Sequence, residues 1–206
     1  GLLPQWDVLF LTSTSPAVWG GLQRNAYSAG RYGMHFRDET THRPLKFSQY
    51  PNLCLGGGTG FQGTGSSQAG DFTPNATGTS PATYNSTHHP SMGFLAYLLT
   101  GRMYHLETLQ FLATANYLKN GSAERFGSRG VFQTAHGANT ERGAAWATRT
   151  LAQAAAASPD GDDLTNEFMA SVVSNITWYH DNYAALKASF GIVAPYQDDT
   201  GVGDGV

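Results

Sequence analysis

Apolar residues recur at three- and four-residue steps in six segments of the chain, and these segments form three pairs. The clearest stripe combines Leu106, Leu109, Leu112, Ala113 and Tyr117. The pairs cover residues 4–12 and 15–30, 90–99 and 102–118, and 140–157 and 162–190. Short polar turns divide the two members of each pair. The pattern therefore predicts three helical hairpins, at about 4–30, 90–118 and 140–190.

The two helices of a hairpin differ in character. The first members include "GFLAYLLT" and "GAAWATRTLAQAAAA", which are small or apolar on nearly all sides, whereas the second members are longer and amphipathic. A helix without a polar face belongs inside, and an amphipathic helix can cover it. Inner and outer helices joined by short turns at one rim and long links at the other are typical of α/α toroids, with an α-solenoid as the alternative.

These observations predict an all-α protein with a single domain over residues 1–206, built as about half of an (α/α)6 toroid. The chain starts without Met and stops in loop sequence, so we interpret it as a fragment of a longer protein. Residues 32–89 are predicted to form a long Gly/Ser/Thr-rich loop on the rim. Within it, "MHFRDETTHRPLKFSQYP" could form a short β-hairpin that turns at Glu39, Thr40 and Thr41.

Composition narrows the classes of function. Charged residues make up 13% of the chain, about half the usual fraction, which favours an extracellular, periplasmic or virion-associated protein. The net charge of −3 and the lack of a basic run argue against nucleic acid as a partner. No apolar stretch reaches the length of a membrane span. Cys54 is the single cysteine, so the chain has no internal disulfide.

The candidate site lies where the inner helices begin, on the rim that carries the long links. His88 and His89 precede the second inner helix, Trp6 and Asp7 begin the first, and Arg142 begins the third. A ring would gather these residues around one cleft, where helix N-termini favour an anionic ligand. The alternatives are that His89 only caps its helix and that His88 is simply exposed.

Four further residues are candidates for the site, and each could instead have a purely structural role. His136 precedes the third inner helix, and His105 on the second outer helix is more often structural. Trp146 could stack on a sugar ring or belong to the core. Arg149 lies in an Ala-rich helix, so it requires a carboxylate partner, for which Asp7, Glu107 or Glu141 could serve.

The sequence contains no metal-binding or cofactor motif. The adjacent histidines lack the one-turn spacing of a helical zinc pair, and we predict neither a metal nor a cofactor. Asn-x-Ser/Thr patterns occur at Asn75, Asn85, Asn120 and Asn175, and they matter only on a eukaryotic secretory route.

The segments "HHPSMGFLAYLLTGRMYHLETLQ" and "ERGAAWATRTLAQAAAASPD" resemble hairpins of bacterial and phage-associated α/α-toroid proteins. That group includes toroid polysaccharide lyases and related glycoside-processing domains, and the similarity covers most of the chain except residues about 38–84. The resemblance implies β-elimination on a polysaccharide that contains uronic acid. It assigns His89 or His136 as the base, Tyr97 or Tyr104 as the proton donor, and Arg142 as the partner of the uronate carboxylate.

The usual Asn-His grouping on a toroid inner helix is not clearly present. The alternative function is a non-catalytic carbohydrate-binding or structural module of a larger cell-surface or virion protein. Its partners would then be a glycan and either the remainder of its own longer chain or the other members of an assembly.

Overall fold

A computed structural model describes residues 3–53, 91–118, 125–132 and 141–184, without the side chains of residues 141, 142, 183 and 184. The described part is mostly helical. Its six α-helices are α1 (Gln5–Ser13), α2 (Pro16–Ser28), α3 (Phe94–Thr100), α4 (Met103–Leu118), α5 (Glu141–Ala157) and α6 (Asp163–Tyr179). Two 3-10 turns lie at Ala29–Arg31 and Gly127–Arg129, and a π-helical turn, His180–Ala184, follows α6. The predicted all-α class is confirmed.

The boundaries of the hairpins follow local sequence signals. Ser15 lies at the N-cap of α2, and Pro16 takes the first helical position, which suits its fixed φ. Gly101 ends α3 in the left-handed conformation. Asp162 caps α6, because its carboxylate accepts a hydrogen bond of 2.9 Å from the backbone N–H of Leu164.

The helix α3 is shorter than the sequence predicted. It begins at Phe94, because Gly93 takes a φ of 91° and lies against α4. A Cβ on Gly93 would stand 2.5 Å from the carbonyl oxygen of His105. Close packing of the two chain segments therefore fixes where this helix starts, and the predicted helical start at residue 90 lies outside the described residues.

The main core is built around α4. Every residue of α4 from His105 to Leu118 is buried except Glu107. By contrast, α1 exposes most of its apolar residues, namely Trp6, Val8, Leu9 and Leu11. The predicted division into inner first helices and outer second helices is therefore wrong for the first two hairpins. Only the third fits it, with α6 burying the single stripe Leu164, Phe168, Ser171 and Asn175.

Residues 32–53 explain why α4 is buried. Leu45 and Phe47 from this segment join the main core cluster with Leu106, Leu109 and Tyr117 of α4. The ring of Phe47 stacks on that of Tyr117 at a centroid distance of 4.0 Å. The second helix of the hairpin is thus covered by a segment that the sequence assigned to a loop on the rim.

The same segment makes the predicted turn but no strands within the described residues. Glu39, Thr40 and Thr41 form the turn, and one antiparallel bridge joins Arg37 to Pro44. The rest of the predicted Gly/Ser/Thr-rich loop, residues 54–89, lies outside the described residues.

Buried polar groups join residues 125–132 to α6. The Asn175 amide donates to the carbonyl of Gly130 at 2.8 Å and accepts from the N–H of Phe132 at 2.8 Å. Asn175 is fully buried, so this Asn-x-Thr pattern is not accessible to a glycosylating enzyme in the folded protein. The patterns at Asn75, Asn85 and Asn120 lie outside the described residues.

The helices pack within each hairpin and between consecutive hairpins. Contacts join α1 to α2, α3 to α4 and α5 to α6, and further contacts join α2 to α3, α3 to α5 and α4 to α5. None of the helices in the described ranges combines the length and the hydropathy that a membrane span requires.

Candidate functional site

The structure describes some of the predicted site residues and not others. His88, His89 and His136 lie outside the described residues. Arg142 lies in the first turn of α5, but its side chain is not described. The predicted convergence of Trp6, His89 and Arg142 on one cleft therefore stays a prediction.

Trp6 lies over α2 with much of its ring exposed. The side chain is 44% exposed, and its indole ring covers Gly21, where a Cβ would stand 2.8 Å from the ring. Only a glycine at position 21 allows so close an approach. Trp6, Ala17, Gly21, Arg24, Asn25 and Ser28 line an open pocket of about 330 Å³. The lower end of typical ligand-pocket volumes is about 300 Å³.

Asp7 follows Trp6 but does not line this pocket. It is the buried residue of α1, and burial raises the pKa of its carboxyl to about 6. A carboxyl group in this position is not available to a ligand in the Trp6 pocket.

Tyr104 belongs to a cluster of polar aromatic residues between α2 and α4. Its ring packs on Tyr27 at a centroid distance of 5.3 Å and on His105 at 5.5 Å. Its hydroxyl donates to the backbone carbonyl of Tyr27 at 3.0 Å. Arg102, which precedes α4, donates to the hydroxyl of Tyr27. We call Tyr27, Arg102, Tyr104 and His105 the tyrosine cluster.

His105 is the buried member of the tyrosine cluster. It is fully buried beneath the two phenol rings, and neither ring nitrogen has a hydrogen-bond partner in the described part of the chain. Burial lowers the pKa of the imidazole, and the positive charge of Arg102 lowers it further. The ring is therefore held in its neutral form at physiological pH.

Tyr97 takes a different position from Tyr104. It is half-buried on α3 and packs against the main core cluster. Of the two tyrosines considered as proton donors, Tyr104 is the one with an exposed side chain, at 40%.

Trp146 and Arg149 pair with each other on α5. The Arg149 guanidinium lies 5.2 Å from the centroid of the Trp146 ring, and Arg149 is buried. Glu107, one of its predicted carboxylate partners, instead pairs with Arg37 at 2.8 Å. Trp146 and Arg149 therefore lie on a different helix from the residues of the Trp6 pocket and of the tyrosine cluster.

The sequence reasoning missed Arg24, Tyr27 and Arg102. Arg24 and Tyr27 are one helical turn apart on α2, so their side chains are neighbours. Arg24, Arg31 and Arg102 are the exposed charged residues of ranges 3–31 and 91–104, which contain no exposed acidic side chain. This surface is positive although the chain as a whole carries a net charge of −3. Asp7, which is buried, is the single acidic residue of these two ranges, and this scarcity was visible in the sequence.

A second pocket lies between the segment 32–53 and α6. It measures about 100 Å³ and is lined by Thr41, Arg43, Pro44, Lys46, Gln49, Asp163 and Leu164. Its charged groups already pair, since Arg43 contacts Asp162 and Lys46 contacts Asp163. Within the described ranges, no three His, Cys, Asp or Glu side chains are grouped as a metal site would require.

Comparison with known proteins adds no relative to this picture: no family model, no curated protein and no solved structure matches the chain. Function is therefore inferred from the geometry of the site.

Proposed function

We propose that this protein binds a carbohydrate chain in the pocket beside Trp6. The observation that carries the proposal is the exposed indole of Trp6, which lines a pocket of about 330 Å³ together with Arg24, Asn25 and Ser28. Ligand sites combine an apolar or aromatic surface with a few polar groups that fix orientation.

The chemistry of the pocket suits a sugar ring. One face of a pyranose carries C–H groups that pack on an aromatic ring, while its hydroxyls lie around the edge. The amide of Asn25, the hydroxyl of Ser28 and the guanidinium of Arg24 provide both donors and acceptors for such hydroxyls. Gly21 adds no side chain under the indole, so Trp6 rests directly on the helix backbone and is held in place.

The experiment that tests the proposal is calorimetry with a panel of neutral and acidic oligosaccharides. Trp6→Ala should weaken binding by at least about tenfold, which corresponds to about 1.4 kcal/mol. Leu11→Ala changes another exposed apolar residue of the same helix and should leave the affinity unchanged. Equal affinities of the wild type and Trp6→Ala, or no binding of any oligosaccharide, would contradict the proposal.

A polysaccharide lyase is the second candidate, and the tyrosine cluster favours it. β-Elimination requires a cation beside the uronate carboxylate and a group that protonates the leaving oxygen. Arg102 and the exposed hydroxyl-bearing ring of Tyr104 are groups of these two kinds on one surface. The proposed bases, His89 and His136, come from the resemblance alone.

The lyase proposal is tested by absorbance of the unsaturated product on polymers that contain uronic acid. A lyase should produce this signal from at least one polymer, and Tyr104→Phe should reduce it at least about a hundredfold, the usual scale of acid–base catalysis. Binding to a polymer without formation of the unsaturated product from any polymer would contradict the lyase proposal and leave carbohydrate binding as the function.

The proposal includes the arrangement of the hairpins as part of an α/α toroid. Support comes from the contacts that join consecutive hairpins, α2 with α3 and α4 with α5. The low charge of the chain fits a protein that works outside the cell, in the periplasm or on a virion. Small-angle scattering tests the architecture, because a solenoid would give a more extended particle than half a ring.

A further inference from the structure

The tyrosine cluster contains unused hydrogen-bond donors at the surface. Arg102 donates one bond to the Tyr27 hydroxyl, and its other N–H groups have no side-chain partner among the described residues. Because the Tyr27 oxygen accepts from Arg102, its own O–H is free to donate. A guanidinium and a neighbouring hydroxyl together present the donors that a carboxylate accepts.

The aromatic rings of the cluster form an exposed platform. Tyr27 is 41% exposed and Tyr104 is 40% exposed, and their rings are tilted by 33°. Gly30 makes room for this arrangement, because a Cβ at that position would collide with the Tyr104 hydroxyl. A sugar ring can pack on such a platform while its acidic group meets Arg102.

His105 gives an independent indication of a ligand. Its two ring nitrogens are buried and unpartnered in the described part of the chain, an arrangement that folded proteins rarely contain. The ring lies 4.8 Å from Tyr27, directly behind the platform. A buried polar group without a partner beside an exposed aromatic surface indicates a ligand site at this surface.

We infer that the tyrosine cluster binds the carboxylate of an acidic sugar residue, with Arg102 as the charge partner and Tyr27 as the second donor. The inference rests on the proposed carbohydrate function and adds the charge of the ligand. It also adds a second subsite, because Arg24 and Tyr27 are neighbours on α2. A linear acidic glycan would lie along α2 and contact both the Trp6 pocket and the tyrosine cluster.

The experiment compares trigalacturonate with its uncharged methyl ester by calorimetry on the full chain. The wild type should bind the acid at least about tenfold more tightly than the ester, because charge-assisted hydrogen bonds are the stronger ones. Arg102→Gln should remove this preference and leave the affinity for the ester unchanged. Arg31→Gln removes the same charge from a nearby exposed position and should keep the preference.

Tyr27→Phe tests the contribution of the hydroxyl alone, because it keeps the aromatic ring of the platform. The variant should bind trigalacturonate about threefold to tenfold more weakly, which is the effect of one hydrogen bond, and it keeps the stacking surface. Equal affinities for acid and ester in the wild type would overturn the inference, as would equal losses in Arg102→Gln and Arg31→Gln. Competition by a short oligo-dT as strong as that of trigalacturonate would reassign the cluster to phosphate.

The outcomes also separate the two proposals. Binding of neutral oligosaccharides that depends on Trp6, without any preference for the acid, would overturn only the carboxylate site. Absence of binding by neutral and acidic oligosaccharides alike would overturn both.

Discussion

Asp7 is the third residue of α1, where the free N–H groups of a helix favour a charged carboxylate. Burial opposes this effect and raises the pKa from 3.8 to about 6. A shift of this size corresponds to about 3 kcal/mol, whereas the helix terminus contributes about 0.3–1 kcal/mol. Burial therefore dominates, and between the unfolded pKa of 3.8 and the folded pKa of about 6 the folded protein holds a proton that the unfolded chain releases.

Asp7→Asn should remove the pH dependence that follows from this buried carboxyl. Because the folded pKa is raised, the stability of the wild type is full below about pH 4 and falls as the pH rises through 6. The variant should match the wild type near pH 4 and exceed its free energy of unfolding by about 2 kcal/mol at pH 7. Urea unfolding at both pH values measures the difference. Gln5→Asn, at an exposed position of the same helix, should show no such change with pH.

The sequence could suggest a candidate site residue where its own position in a helix was enough, but not where the candidate depends on a contact between two helices. Trp6 was a sequence candidate because it lies at the start of the first helix of a hairpin, on the rim with the long links. The structure places its ring beside a pocket, and a binding role for it stays a prediction. Arg102 and Tyr27 were missed, because their contact depends on how α2 packs against α4. No local pattern reports a pairing between residues that are 75 positions apart.

At the scale of the helices, sequence patterns predicted the hairpins and their turns but not which helix is central. Thr108, Gln110, Thr114 and Asn116 are polar residues distributed around α4, and all four are buried. Gln110 is paired there, since its amide donates to the Ser158 hydroxyl at 2.9 Å. Periodicity measures polarity along one helix, and it cannot register that the segment 32–53 and α5 pack against α4.

The start of α3 gives a prediction that separates steric packing from backbone strain. Gly93→Ala should destabilise the protein by about 3 kcal/mol or more, because the new Cβ meets the His105 carbonyl at 2.5 Å in addition to the left-handed strain. Gly101→Ala has a similar φ of 65° but open space around the Cβ, so it should cost only about 1 kcal/mol. Denaturant unfolding of the two variants measures the difference. Equal losses would mean that the contact between Gly93 and α4 does not fix the helix start.

At the scale of the whole molecule, the segment 32–53 joins parts of the chain that are distant in sequence. On one side it pairs with α6, where Arg43 contacts Asp162 and Ser48 contacts Glu167. On the other side it is held by Arg125, which is fully buried and donates to the carbonyls of Tyr50 at 3.1 Å and Pro51 at 2.8 Å. The two attachments differ in exposure, so they should respond differently to mutation and to salt.

Arg125→Gln should cost about 3 kcal/mol, because it removes a fully buried guanidinium and leaves two part-buried carbonyls without their donor. Arg43→Gln removes an exposed ion pair, which is worth about 0–1 kcal/mol. Salt at 1 M should abolish the small effect of Arg43→Gln by screening, and it should leave the large effect of Arg125→Gln in place. Hydrogen exchange of the amides in residues 36–50 reports local release of the segment, and urea unfolding reports the global cost. If Arg43→Gln released the segment at low salt and Arg125→Gln did not, the surface ion pairs and not the buried arginine would hold the segment over α4.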